Sequence, residues 1–236
     1  MTTPDHEAMA PQGPPRPQGA RAVRPKSAAT LILVRRDGPR PRVLMGRRHS
    51  RHAFMPDLWV FPGGRIDRAD YRAPAAAELS DEMAGVFARH VPPAKGRALA
   101  LAAVRETWEE TSLLLARPAP PRPRAGPWRP FLARGALPDL SALEVVARAI
   151  TPAQVARRFD TWFLRADAER LISLEREPDC GELEAIDWID LDAHPDLPLP
   201  RITRRILGEV AQQLADPARP RPFLRSGGGS VRSDFL

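Results

Sequence analysis

Two stretches decide the fold: Phe61-Pro62-Gly63-Gly64 and Arg105-Glu106-Thr107-Trp108-Glu109-Glu110. The first reads as the end of a strand closed by two glycines, and glycine lets backbone carbonyls approach an ion or a phosphate closely. The second falls inside a helix predicted over Arg97–Leu115. At about 100° per residue, Leu101, Val104, Trp108 and Leu115 share an arc of about 60°, a core-facing stripe. Glu106, Glu109 and Glu110 lie within about 100° of one another on roughly the opposite face. Three carboxylates at i, i+3 and i+4 repel one another. A solvated acidic face is the ordinary outcome of such a turn. A divalent cation is the other, because Mg²⁺ and Mn²⁺ take hard oxygen ligands and Glu106 and Glu110 can reach a common ion.

Working outward, Ala28–Arg35 is a β-rich apolar run, and the turn Asp37-Gly38-Pro39 leads to a second run at Val43–Met45, which predicts a hairpin. A basic stretch, Arg47 to His52, precedes Phe54, Met55 and Trp59, and Leu58–Phe61 reads as a short strand. Between the two deciding stretches, Leu79, Met83, Val86 and Phe87 predict a helix over Ala75–His90, ended by Pro92-Pro93. After them come a proline-rich connection, a helix expected at Ser141–Ile150, strands at Phe159–Arg165 and Ala185–Ile189, and a closing helix at Arg201–Leu214. No internal repeat is present. The expected organisation is a disordered basic tail over 1–26, one domain over 27–216, and a disordered tail over 217–236. Within the domain lie an insertion at 71–98 and the Pro-rich connection at 117–140.

The chain has 236 residues, 43% of them hydrophobic and 28% charged, which suits one globular domain with extensions. No apolar run approaches the ~20 residues of a membrane span, and the first 26 residues lack a secretory apolar core. Cys180 is the sole cysteine, which excludes an intrachain disulfide and a multi-cysteine metal site. A reducing, cytoplasmic location is expected. The net charge of +7 is +5 over residues 1–42 and +3 over 217–236, so the centre is nearly neutral. Nucleic acid, bound through flexible basic arms, is therefore the disfavoured partner.

The glycine turn and the Arg-Glu-x-x-Glu-Glu helix together resemble the Nudix box, G-x5-E-x7-R-E-U-x-E-E-x-G-U, where U is a bulky apolar residue. Gly64 stands at its first glycine, Asp70 replaces its first glutamate, Arg105–Glu110 carry its core, and Leu113 is its last U. Thr107 is a small residue at the first U, and Ser112 replaces the glycine that ends the helix. The long spacer between Asp70 and Arg105 is similar to that of the branch containing coenzyme A diphosphatase-like proteins. So are Val43–Arg48, Arg158-Phe159-Asp160-Thr161 and Leu197-Pro198-Leu199-Pro200.

The resemblance implies the Nudix fold, an α/β/α sandwich with a mixed sheet, a catalytic loop-helix-loop and an inserted helix. It implies a pyrophosphohydrolase dependent on Mg²⁺ or Mn²⁺ that cleaves a nucleoside diphosphate linked to another group. Coenzyme A or its acyl esters lead as substrate. ADP-ribose or a nucleotide sugar is the alternative, and a binding module without catalysis is a second. By resemblance Glu106 and Glu110 are metal ligands, Glu109 is a ligand or base, and a carbonyl near Gly63 and Gly64 completes the shell. Arg105 pairs with a box glutamate, Glu182 is a further acidic ligand (Glu184 lies nearby), and Asp70 keeps a structural role. Arg47 and Arg48 are expected to hold substrate phosphates. The inserted helix is expected to pack beside the site and wall the pocket. Assembly as a homodimer stays open.

Overall fold

The computed structural model describes residues 14–17, 19, 21, 23–49, 57–122, 126–176, 183–192, 197–227 and 230–236. The central strand β1 (Lys26–Arg35) alternates: Ala29, Leu31 and Leu33 enter one apolar cluster, Ile32 and Val34 another. Successive side chains of a strand point to opposite faces, so β1 must be covered on both sides. It pairs antiparallel with β2 (Arg42–Arg48), as the Asp37-Gly38-Pro39 turn demands, with Val34 opposite Val43. Strand β3 (Trp59–Val60) joins β2, and β4 (Gly63–Arg65) returns antiparallel to β1, with Gly63 opposite Thr30.

The chain then forms α1 (Asp81–Ala88), α2 (Pro93–Thr111), β5 (Ala116–Pro118), α3 (Trp128–Ala133) and β6 (Ala136–Pro138). Strands β7 (Glu144–Ile150), β8 (Phe159–Asp167) and β9 (Leu183–Asp190) follow, then α4 (Arg201–Ala215) and the hairpin β10 (Pro222–Gly227) and β11 (Ser230–Phe235). Among the described residues nine strands form one mixed sheet, in the order β11-β10-β7-β8-β1-β2-β3, with β4 on β1 and β9 on β2. β1 and β8 run parallel, Lys26 opposite Phe159 and Thr30 opposite Phe163. Buried residues of α1, α2 and α3 cover one face of the sheet, and Ile206, Leu207 and Val210 of α4 cover the other. This is the expected α/β/α sandwich.

Four expectations are corrected. Ser141–Ile150 is not a helix: after a single turn at Leu140–Ala142 it is strand β7, buried on both faces, and such a run has no period that tells helix from strand. The stretch 217–236 is not a disordered tail, because β10 pairs parallel with β7 and buries Phe223 and Leu224. The described part of 1–26 is also placed: the Arg16 N–H donates to the Gln154 carbonyl at 2.7 Å, and β1 begins at Lys26. Residues 1–13 lie outside the described residues. The inserted helix is shorter than Ala75–His90. The Ser80 hydroxyl caps α1 by accepting from the Met83 N–H, and residues 78–80 before it are not helical. Met83, Val86 and Phe87 face the core as expected.

Candidate active site

Strand β4 and helix α2 meet through two glycines. A Cβ at Gly64 would lie 2.3 Å from the carboxyl carbon of Glu106, and one at Gly63 would lie 2.6 Å from the Ala29 carbonyl oxygen. Only glycine permits this approach. The Gly63 N–H donates to Glu110 Oε2 at 3.0 Å, which pins the turn to the helix. Helix α2 ends where the box ends: Ser112 sits in the left-handed region at φ 63°, and its N–H donates to the Trp108 carbonyl. Serine thus takes a position that favours glycine, at some cost in strain.

Arg105 organises the carboxylates. Its guanidinium is buried, and Nη1 donates to Glu106 Oε1 and to Glu109 Oε2, each at 2.9 Å. Nε and Nη2 grip Asp70 at 2.9 and 3.1 Å, and Nη2 also donates to the Arg65 carbonyl. Burial would favour losing the proton. The Asp70, Glu106 and Glu109 carboxylates overcome that, so Arg105 is held firmly protonated. Asp70 is itself fully buried, and it accepts from the Trp128 indole N–H at 2.9 Å and from the Asp67 N–H at 2.7 Å. The expected structural role of Asp70 is therefore what the geometry displays. Its bond to Trp128, from the Pro-rich connection, could not be read from the sequence. That connection is not featureless either, since it carries α3 and the β5–β6 pair. Burial raises the Glu109 carboxyl above the ordinary range; Arg105 opposes this and Glu106 adds to it.

These groups form one end of a cavity of about 1380 Å³. Gly63, Gly64, Arg105, Glu106, Glu109 and Glu110 line it, as does Arg48. Arg47 does not: it reaches Glu184 at 3.3 Å, which His49 also contacts at 3.1 Å. Glu182, His52 and Cys180 lie outside the described residues. The inserted helix α1 contributes nothing to the cavity wall. Of the insertion only Tyr71 lines it, while Phe87 packs on Trp162 with ring centroids 4.5 Å apart. The expectation that this helix walls the pocket is therefore corrected. Sequence reasoning missed Thr30, Lys26, Phe159 and Thr203, which line the same cavity from β1, β8 and α4. Their placement depends on strand register, which no local motif announces.

Among the described residues, no three His, Cys, Asp or Glu side chains converge as a formed metal cluster. Glu106 and Glu109 turn to Arg105, and Glu110 to the Gly63 N–H. The donor set nonetheless fits a hard divalent cation. Three carboxylates line one cavity wall, and Gly64 leaves the space against Glu106 free of any side chain.

No family model matches the chain. Over 180 residues it is 30% identical to a Caenorhabditis elegans protein named as nudix hydrolase 7, covering 70% of this chain and 51% of that protein. It is 28% identical to the Gallus gallus acyl-coenzyme A diphosphatase NUDT19, covering 69% of this chain and 60% of that one. The chain thus spans between half and two thirds of the length of these curated relatives. The crystal structure of a NUDIX hydrolase from Alicyclobacillus acidocaldarius aligns with a TM-score of 0.58 at 28% identity, over 81% of this chain and 93% of that one. Sheet, glycine turn and glutamate helix define the Nudix fold, and with these relatives the chain belongs to the Nudix superfamily. Within it, coenzyme A diphosphatase-like proteins are among its relatives.

Proposed function

We propose that the chain is a divalent-metal-dependent pyrophosphohydrolase that splits the phosphoanhydride bond of a nucleoside diphosphate joined to a second group. The observation that carries this reading is the meeting of Gly63-Gly64 with Glu106, Glu109 and Glu110 at one cavity wall, around a single buried arginine. Three carboxylates kept together have a purpose only if a cation or a proton balances them. Glu106 and Glu110, with a carbonyl at Gly63 or Gly64, would hold Mg²⁺ or Mn²⁺. The bound ion would supply charge neutralisation on the diphosphate and an activated water.

The chain's own residues do the rest. Arg105 fixes the Glu106 and Glu109 rotamers and is held in turn by Asp70. Glu109, with its carboxyl raised by burial, takes the proton from the attacking water at one of its carboxylate oxygens. Arg48, half-buried on the cavity wall, offers its guanidinium to the phosphate oxygens. Coenzyme A or an acyl ester of it is the substrate we favour, supported by the name of the Gallus gallus relative. A cytoplasmic setting suits that substrate. No helix among the described residues is long and apolar enough to cross a membrane.

The test is a panel of coenzyme A, acyl-coenzyme A, ADP-ribose and NADH, incubated with Mg²⁺ or Mn²⁺ and read by product mass. Cleavage between the two phosphorus atoms, lost in chelator and regained with metal, is expected. No cleavage of any member, or cleavage undiminished in chelator, would overturn the reading.

A further inference from the structure

The carboxylates occupy only one end of the cavity, and strand register gives the rest. Cross-strand partners share a face of the sheet. Thr30 lies opposite Gly63 and Phe163, Ala28 opposite Arg65 and Thr161, and Lys26 opposite Phe159. Thr161 lies opposite Ala149. All of these line the cavity. Ala28, Thr161 and Ala149 make one row of small side chains that crosses the sheet between Phe163 and Phe159 of β8. Along β1 the cavity floor runs from Thr30, paired with Gly63, to Lys26. Four residues of strand span about 13 Å, further than a diphosphate reaches.

Charge changes along this floor. Glu106, Glu109 and Glu110 stand at the Gly63 end. Lys26 stands at the far end, where its N–H donates to the Arg158 carbonyl at 2.9 Å, one residue from Arg157, which lines the same cavity. Among the described residues neither Lys26 nor Arg157 has a carboxylate partner, and both are exposed. Their neighbours are otherwise engaged: Arg158 donates to the Thr151 and Val23 carbonyls, and the Asp67 carboxylate caps the Ala69 N–H. Phe159, opposite Lys26, adds an aromatic surface.

We propose that Lys26 and Arg157 form a second anion subsite, which takes a phosphate monoester carried on the nucleoside half of the substrate, about 13 Å along the sheet from the reacting diphosphate. Two cations, Lys26 at the start of β1 and Arg157 in the bend before β8, match a dianion, and the guanidinium can engage two of its oxygens. Phe159 meets the ring system that carries the monoester. The subsite selects which diphosphate binds and leaves the cleavage to the carboxylate end. It rests on the pyrophosphohydrolase reading, and the test separates the two.

Binding is measured first by calorimetry without metal, with adenosine 3′,5′-bisphosphate and AMP as probes. The wild-type chain should favour the bisphosphate about tenfold, the ratio expected of one charge-assisted contact. In a Lys26→Ala/Arg157→Ala variant with unchanged melting temperature, that preference should fall to about twofold or less, with AMP binding unaltered. Kinetics on coenzyme A and 3′-dephospho-coenzyme A should show the same change in KM with kcat within about twofold. Equal binding of the two probes by the wild type, or an undiminished preference in the double variant, would overturn the subsite. If neither coenzyme is cleaved while the binding preference still depends on Lys26 and Arg157, the hydrolase reading fails and the subsite stands. Should the double variant not fold, Lys26→Gln and Arg157→Gln singly carry the same comparison.

Discussion

Asp70 stands where the box has a glutamate, one methylene longer. The shorter carboxylate still reaches Arg105 through two bonds, and the Trp128 indole N–H and the Asp67 N–H take up its remaining capacity. Trp128 packs edge-on to Phe131, which packs edge-on to Trp108 of α2, so the ring is also part of the core. Trp128→Phe removes the donor to a buried carboxylate and, with it, the fused five-membered ring of a fully buried indole. It should cost at least about 2 kcal/mol, since hydrogen bonds to charged groups contribute roughly 1.5–3 and the lost volume adds to that. The melting temperature should fall by on the order of 5 °C. An unchanged value would show that the bond contributes nothing. A second buried carboxylate makes a pH prediction. Although burial alone would raise it, Asp139 is held at about 2 by Arg117, Ser141 and Arg170. A carboxyl depressed in the folded state stabilises fully above its unfolded value near 3.9, and that contribution is lost as pH falls toward about 2. The melting temperatures of wild type and Asp139→Asn should differ by a constant amount from pH 7 to about 5, and the gap should shrink steadily as pH falls toward about 2. A gap undiminished at pH 2 would contradict this.

At the scale of elements, the C-terminal hairpin is structural. Strand β10 lies beside β7, and Phe223 packs under the Arg148 guanidinium, 4.5 Å from the ring centre, while Arg148 grips Asp160. Ending the chain after Asp216 uncovers this edge and loses two buried apolar side chains, each contributing roughly 1.5–3 kcal/mol. The melting temperature of the truncated protein should drop by on the order of 10 °C. Equal stability would mean that the hairpin does not pack. Helix α1 behaves alike: replacing Tyr71–Gly96 with a short loop removes Met83, Val86 and Phe87 from the core, and the product should not fold cooperatively. A folded product of ordinary melting behaviour would refute its place in the core.

These elements also show what the sequence could and could not display. The box residues were legible because metal chemistry demands fixed residue types at fixed helical spacing. The β1–β2 hairpin and α4 were legible because each has a turn signal or a clean period. Strand β7 was not, because burial on both faces erases the alternation that marks a strand. The hairpin β10–β11 was not, because its glycines read as a linker and its partner strand lies far away in sequence. The path of the cavity depends on the pairing of β1 with β8, a contact between residues more than a hundred positions apart.

For the whole molecule, the sheet divides labour. One face is filled by α1, α2 and α3, which brace Asp70 and Arg105. The end of α2 carries the carboxylates against the β4 turn, and the cavity floor leads away from them along β1 and β8. Rigid packing behind the carboxylates, with the Arg105 guanidinium bonded to Glu106 and Glu109, lets three like charges stay close. The most direct measurement is the turnover of coenzyme A with saturating Mg²⁺, for wild type and for Glu110→Gln matched in melting temperature. The account predicts a loss of at least ~100-fold in kcat for the variant, the usual consequence of removing a group that stabilises charge in the transition state. A folded Glu110→Gln variant that turns over near the wild-type rate would contradict it.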